Sequence, residues 1–274
     1  MTMFGRYYEV EIEVDGQVIK ILPPLNISFA LDKSTAGGLN RLTLDIYNLN
    51  DDHRLSIVKD PEQIKPMPIK FKLGYEDDYG TQFVGSVFRA YATRRGPNLV
   101  TRIESLDGWD DLQSTDISAT VDGSEQAINT VIGSLQSITK GKVTVNRKLS
   151  SPKVMVGNAL KLLRDTIGPD DRIFIDNGQL YVMNKNEVLS SFIPLVSAGT
   201  GLLNSPTRQQ KKISFETMIN PALRMQCMFK LESTVQPHLN GQYLNIQMHY
   251  TGEYMGQDWK QSVVSLANPE YTVI

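Results

Sequence analysis

Cysteine is nearly absent. Cys227 is the only one in 274 residues, so an intramolecular disulfide and the usual cysteine-based zinc sites are both excluded. It alternates with apolar neighbours, which reads as a small buried hydrophobe. The chain is therefore expected to fold in a reducing cytoplasm. Histidine is scarce as well. His53, His238 and His249 stand in no H-x-H, H-x-x-H or HExxH spacing, so zinc signatures and imidazole acid–base chemistry have little to build on. An excess of one charge is also missing: 28 basic against 30 acidic residues leave a formal charge of −2, without the basic surplus that gripping nucleic acid needs. No apolar run approaches the ~20 residues that span a bilayer. After Met1 the sequence is polar and strand-like rather than a signal peptide, and no membrane insertion is expected.

Motifs for chemistry are missing too. Gly37-Gly38 and Gly199-Thr200-Gly201 are not followed by Lys-Ser/Thr and do not lead from a buried parallel strand into a helix, as a phosphate loop requires. No G-x-S-x-G elbow occurs. Adjacent acids occur at Asp51-Asp52, Asp77-Asp78, Asp110-Asp111 and Asp170-Asp171. A glycosidase needs two acids on opposite sides of a bond, whereas neighbouring aspartates in turns commonly cap helices or form the turn. No D-x-D-x-D-G calcium loop is present. The sequence assigns no catalytic, cofactor-binding or metal-ligating residue, and no cofactor.

What is there is β-strand. Hydrophobic residues make up 41% and charged residues 21%, an ordinary globular balance, and the length predicts more than one domain. Tyr8, Val10, Ile12 and Val14 alternate with Tyr7, Glu9, Glu11 and Glu13, and Asp15-Gly16 turns the chain into Gln17–Leu22. Pro23-Pro24 ends that hairpin. Strands are predicted at Ile27–Leu31, Leu42–Tyr47, Ile69–Tyr75, Thr81–Thr93 and Leu99–Leu106, with turns at Asp77–Gly80 and Arg94–Asn98.

Near Asp110 the pattern changes. Ser124–Lys140 places Ala127, Ile128, Val131, Ile132, Leu135 and Ile138 on one helical stripe, stopped by Gly141. Val143–Val145 is a short strand. Ser151-Pro152 predicts the start of a second helix that buries Val156, Ala159, Leu160, Leu163 and Ile167. Arg172–Asn184 reads as a hairpin turning at Asn177-Gly178.

From residue 188 the chain returns to β, through the Gly-rich segment 197–210. Leu223, Met225, Cys227, Phe229 and Leu231 alternate with Arg224, Gln226, Met228, Lys230 and Glu232; Leu244, Ile246, Met248 and Tyr250 alternate with Tyr243, Asn245, Gln247, His249 and Thr251. Asn240-Gly241 predicts the hairpin turn between them.

Phe215–Pro221, Asn240-Gly241-Gln242-Tyr243, His249-Tyr250-Thr251-Gly252 and Gly256-Gln257-Asp258-Trp259 together resemble the last domain of contractile-phage baseplate hub proteins. The small-residue loop Asp32–Asn40, followed by a strand ending in Tyr47-Asn48-Leu49-Asn50, is a second place of resemblance. The chain departs from the family pattern at Met225-Gln226-Cys227, where a glycine and an acidic residue are expected. The resemblance implies a β-rich α+β fold: two tail-tube-like antiparallel β-barrel domains, 1–112 and 188–274, flanking a small α/β insertion, 113–187.

It further implies a homotrimer whose six barrels form a pseudo-sixfold ring in the virion tail, assembled in the host cytoplasm. Its partners would be the tail tube protein, the spike protein and other baseplate proteins. DNA would pass through the lumen without specific binding. The loop Asp32–Asn40 and the segment 197–210 are either inter-subunit material or free surface loops. Two other readings stay open: a tail-tip hydrolase using Asp110 or Asp170, and a carbohydrate-binding module using Trp109 or Trp259.

Overall fold

The structure is a computed structural model that describes residues 5–36, 38–59, 66–190, 192–267 and 272–273. The N-terminal alternation folds as it reads. β1 (Arg6–Val14) buries Tyr8, Val10, Ile12 and Val14 and pairs with β2 (Gln17–Ile21). Asp15 and Gly16, with φ of 49° and 82°, form the tight turn between them. β3 (Ile27–Ser34) and β4 (Arg41–Tyr47) follow. The Asn50 side chain then accepts the His53 amide at 2.8 Å and caps α1 (Asp51–Ile57). β5 (Met67–Tyr75), β6 (Asp78–Arg95) and β7 (Asn98–Leu106) complete this stretch.

The middle of the chain supplies α2 (Trp109–Ser114), β8 (Asp116–Gly123), α3 (Ser124–Gly133), β9 (Thr139–Val143) and β10 (Lys148–Asn158). α4 (Ala159–Thr166), β11 (Asp171–Asp176) and β12 (Gln179–Asn184) follow, the last two turning on Asn177-Gly178 as expected. The C-terminal stretch holds β13 (Glu187–Val188), β14 (Leu195–Ser197), β15 (Thr207–Gln209) and β16 (Lys212–Met218). β17 (Met228–Glu232), β18 (Gly241–Glu253), β19 (Trp259–Ala267) and β20 (Thr272–Val273) end it.

Thirteen of these strands form one sheet along the path β15-β16-β19-β18-β3-β4-β7-β6-β5-β1-β2, with β17 beside β18 and β14 beside β17. The chain is thus mostly β, as expected, and the sheet is antiparallel apart from β14–β17. The path is open among the described residues, and no closed barrel is formed by its pairings. Instead β3 of the N-terminal stretch bonds directly to β18 of the C-terminal stretch. β6 turns a corner by changing partner: Asp78–Val87 pair with β5 and Ser86–Arg95 with β7. At that corner a Cβ on Gly85 would sit 2.5 Å from the Leu106 carbonyl oxygen, so only glycine lets the strands approach.

Two cores result. The larger runs from Tyr8 to Val263 and contains side chains of both end stretches. The smaller holds Leu112, Ile117, Val121, Ile128, Val131, Leu163 and others from the insertion.

Five local expectations are corrected. α3 ends at Gly133 rather than Lys140, because the buried Asp111 carboxylate accepts the amides of Gln136, Ser137 and Ile138 at 3.0, 2.5 and 3.0 Å. Those charge-assisted bonds outcompete another helical turn, and Gly141 lies within β9. Ser151-Pro152 starts no helix, since that stretch is β10, paired with the unanticipated β8. Met155 points into the insertion core and Val156 is 66% exposed. The helix begins at Ala159 behind Asn158, whose side chain accepts the Lys161 amide at 3.0 Å.

In the C-terminal stretch, Gln226 takes φ 54° and ends the strand pattern short, so β17 starts at Met228. The Gln226 side chain is fully buried, donates to the Glu187 carbonyl at 2.7 Å and accepts from Arg172 at 2.8 Å. Finally, Asn240-Gly241 is not a two-residue turn. The connection spans residues 233–240 through a 3-10 turn at Pro237–Leu239, and Asn240 closes it by accepting the Ser233 amide at 2.7 Å. A bulge at Ile246 also breaks the alternation of β18: Tyr243 faces the large core before it, Met248 and Tyr250 after it.

Candidate functional surface: a continuous polar sheet face

The seven strands β16, β19, β18, β3, β4, β7 and β6 carry one polar face across both ends of the chain. Directly paired residues share a face, so the registers trace rows across it. One row runs Glu216, Ser262, His249, Asp32, Arg41. The next runs Met218, Lys260, Thr251, Ala30, Thr43, Glu104, Arg89. On the opposite face the rows are buried: Trp259, Gly252, Phe29, Leu44, Ile103 and Ala90 lie side by side.

Several charged or polar side chains of this face meet across strands, while Arg89 lies 4.8 Å over the Tyr91 ring. Arg41 meets Glu104 at 2.9 Å, Lys260 meets Glu216 at 3.0 Å, and His249 meets Asp32 at 2.6 Å. Asp45 takes Arg102 at 2.6 Å and Arg95 at 2.8 Å. Burial pushes the Asp45 carboxyl up, but the two guanidiniums, Arg102 foremost, hold it below the ordinary carboxylate range. The hydrogen bond to Glu216 raises the Lys260 ammonium above its ordinary value. Cations tied to neighbouring carboxylates present little free positive charge to a polyanion.

The seam between the two end stretches is the β3–β18 pair, in which Ser28–Ser34 oppose Gln247–Glu253. The motif residues that drew attention in the sequence sit at one end of this seam. Gly252 is wedged between rings: a Cβ there would lie 2.8 Å from the Phe29 ring and 2.9 Å from the Trp259 ring. The Trp259 ring meets Phe29 edge-on at 5.1 Å, and its indole N–H donates to the Gly74 carbonyl at 3.1 Å. The turn after β18 is tied to the N-terminal stretch by Arg6. Its guanidinium donates to the carbonyls of Glu253 (2.7 Å), Gly256 (2.5 Å) and Gln257 (2.8 Å) and lies 5.6 Å over the Trp259 ring. No signal in the sequence marks Arg6 for this part.

The other residues weighed in the sequence take structural positions. His53 lies beside its own helix cap, His238 is in the 3-10 turn and His249 is on the polar face. Among the described residues no three His, Cys, Asp or Glu side chains gather as a metal site. Asp51 and Asp52 are in the first turn of α1, Asp110 and Asp111 in that of α2. Asp170 pairs with Lys185, and Asp171 with Arg147 at 2.5 Å. Neither Asp110 nor Asp170 lines the cavities beside Asp45, Lys142, Asp15, Lys230 or His249. Trp259 is 6% exposed and offers no platform to a sugar, while the Trp109 side chain and Gly37 lie outside the described residues. Cys227 is a buried free thiol, pushed up to about 11 by burial. Of the two proposed contact loops, 32–40 is tied back by the Thr35 amide, which donates to the Ile246 carbonyl at 3.0 Å, and 197–210 contributes β15.

Known structures share this architecture. The 43 kDa tail protein of prophage MuSo2 from Shewanella oneidensis has a TM-score of 0.60 at 9% identity, with 94% of this chain and 96% of that one covered. The tail protein from Neisseria meningitidis MC58 gives 0.59 at 10% identity, with 96% of each covered. The E. coli c3393 protein is a component of the type VI secretion system with structural similarity to T4 bacteriophage tail proteins gp27 and gp5. It gives 0.66 at 9% identity, covering 95% of this chain and 78% of that one. At such identities the likeness concerns the fold. No curated protein matches the sequence. The family model for baseplate hub gp41 matches residues 8–257, nearly the whole sheet from β1 to the Arg6-bound turn, and the chain belongs to that family.

Proposed function

We propose that the chain is a structural hub whose polar sheet face lines a channel. Its family makes it a baseplate component of a bacteriophage tail. The observation that carries the reading is the seven-strand face crossing the β3–β18 seam, on which Arg41, Arg95, Arg102 and Lys260 are each tied to a carboxylate. Such a face suits a conduit past which DNA slides without being held. The stretches 1–112 and 188–274 each contribute a tube-like arc of the wall, and 113–187 is the insertion. Three copies then supply six arcs, matching a sixfold tail tube on one side and a threefold spike on the other. The work is mechanical: the ring joins tube, spike and other baseplate proteins after assembly in the host cytoplasm, and no residue breaks or makes a covalent bond.

The test is the mass and symmetry of the purified particle. Light scattering should give three times the 30.7 kDa chain mass, and negative stain should show a ring with a central opening. A chain that stays monomeric at micromolar concentration, even when mixed with its tube and spike proteins, would sink the proposal.

A further inference from the structure

The β11–β12 hairpin of the insertion belongs to both cores. Ile173, Ile175, Leu180 and Val182 face the insertion core, while Phe174, Tyr181 and Met183 face the large one. Its tip reaches into a buried polar layer beneath the seam. Asp176, 1% exposed, forms an ion pair with Lys33 of β3, itself 5% exposed. The Lys33 ammonium also donates to the Gln82 carbonyl at 2.9 Å. The Asn177 amide donates to the Thr81 carbonyl at 3.0 Å, and Asn40 donates to the Ile175 carbonyl at 2.7 Å. All these partners belong to the N-terminal stretch.

The same hairpin also holds the C-terminal stretch. Arg224 lies 3.8 Å from Asp176, Arg172 donates to Gln226 at 2.8 Å, and the Gln226 amide donates to the Asn245 carbonyl of β18 at 3.0 Å. Lys33 itself stands directly opposite Met248 of β18. One hairpin therefore spans the joint between the two arcs from beneath.

We propose that this hairpin is a staple across the seam, with Lys33–Asp176 as the positioning contact that fixes β3 against β18. The reason lies in register. A strand slipped by two residues keeps every side chain on its own face, so alternation alone does not pin β3 to β18. A desolvated ammonium and carboxylate repay their burial only when they meet. A slip would strand both, and buried ionic groups are best attested in selecting a register. The insertion thereby sets the angle between the arcs, beyond merely decorating the wall.

Hydrogen exchange on the full chain tests this directly and does not depend on ring formation, so its failure leaves the hub reading untouched. In Lys33→Met and in Asp176→Asn, amides of 28–34 and 247–253 should exchange at least about tenfold faster, while those of 6–14 and 67–75 hold. The double variant Lys33→Met/Asp176→Asn, which leaves no lone buried charge, keeps the test available if a single variant fails to fold. Its Tm should recover while seam exchange stays fast. Faster exchange confined to 171–184, or a double variant whose seam protection returns to that of the parent, would overturn the staple.

Discussion

The large core and the insertion core are built on opposite plans. The wall joins residues far apart in sequence: His249 and Asp32, paired across the seam, are 217 positions apart. The insertion closes on itself within Leu112–Val182. In the wall, the strands of each end pair mainly with one another, and among the described residues the β3–β18 ladder joins the two ends. In the insertion, short elements are positioned by single buried polar groups, Asp111 above all. A wall of this kind depends on long-range closure, and its weak point is its seam. The insertion core is built from residues close together in sequence, with Leu39 of the N-terminal stretch packed against it, and a few hydrogen bonds fix where its short elements begin and end.

The largest expected effect separates the two plans. Trp259→Ala removes a ring from the wall core at the seam and should cost about 3–5 kcal/mol, with protection lost across β3, β18 and β19. Leu163→Ala in the insertion should cost about 2–5 kcal/mol, with exchange rising mainly in 112–182. If both variants loosen the same amides, the cores are one cooperative unit and the contrast is broken.

Asp111→Asn comes next. It weakens three amide contacts and one from the Ser137 hydroxyl to a single carboxylate, and about 1.5–3 kcal/mol should be lost by denaturant melt. The amides of 136–138 should lose their protection first.

Asp107 sharpens the comparison through pH. It is 1% exposed, accepts the Asn40 amide at 2.7 Å, and faces Lys33 and Asp176 in the polar layer beneath the seam. Burial first, then Asp176, pushes its carboxyl well above the ordinary 3.8, against the opposing pull of Asn40 and Lys33. The folded chain thus keeps a proton that the unfolded chain releases. The stability this site adds is fully present below pH 3.8 and declines as pH rises toward the folded value. Thermal melts of Asp107→Asn should accordingly show a flatter fall of Tm with rising pH than the parent. An unchanged slope would mean that Asp107 is ionised when folded.

The smallest effect belongs to the polar face. Arg41→Ala opens an ion pair whose arginine is half exposed, and should change stability by less than about 1 kcal/mol. It also leaves Glu104 without that partner, so a channel lined by this face would become slightly more repellent to DNA.

Much of the wall could be read from residues alone. The alternation of Tyr8 to Val14, the Asp15-Gly16 turn and the facing of Met248 and Tyr250 follow from period two and positive-φ residues, as does the Asn177-Gly178 turn in the insertion. Within the surface, the glycine and tryptophan of the last motif were visible, and the Gly252–Trp259 contact explains why they stand there. Arg6, Lys33 and Gln226 were not visible. A lone arginine, lysine or glutamine carries no periodic signal, and its importance comes from what it meets. Misreadings arose where a single side chain or residue overrode the periodic pattern: Asp111, from another element, stopping α3, Asn158 capping α4 later than expected, and one extra residue at Ile246 turning β18 over.

Outside the stretch 151–158, the sequence by itself determined the kind of the main elements and most of the residues that could be buried, because propensity and hydrophobic period are local properties of the chain. Only the tertiary structure decided that β3 would bond to β18, that the two end stretches would share one sheet, and that a hairpin from the insertion would bridge them. Those choices rest on hydrogen bonds and desolvated charges between residues far apart along the chain, whose energies exist only once both partners have been brought together.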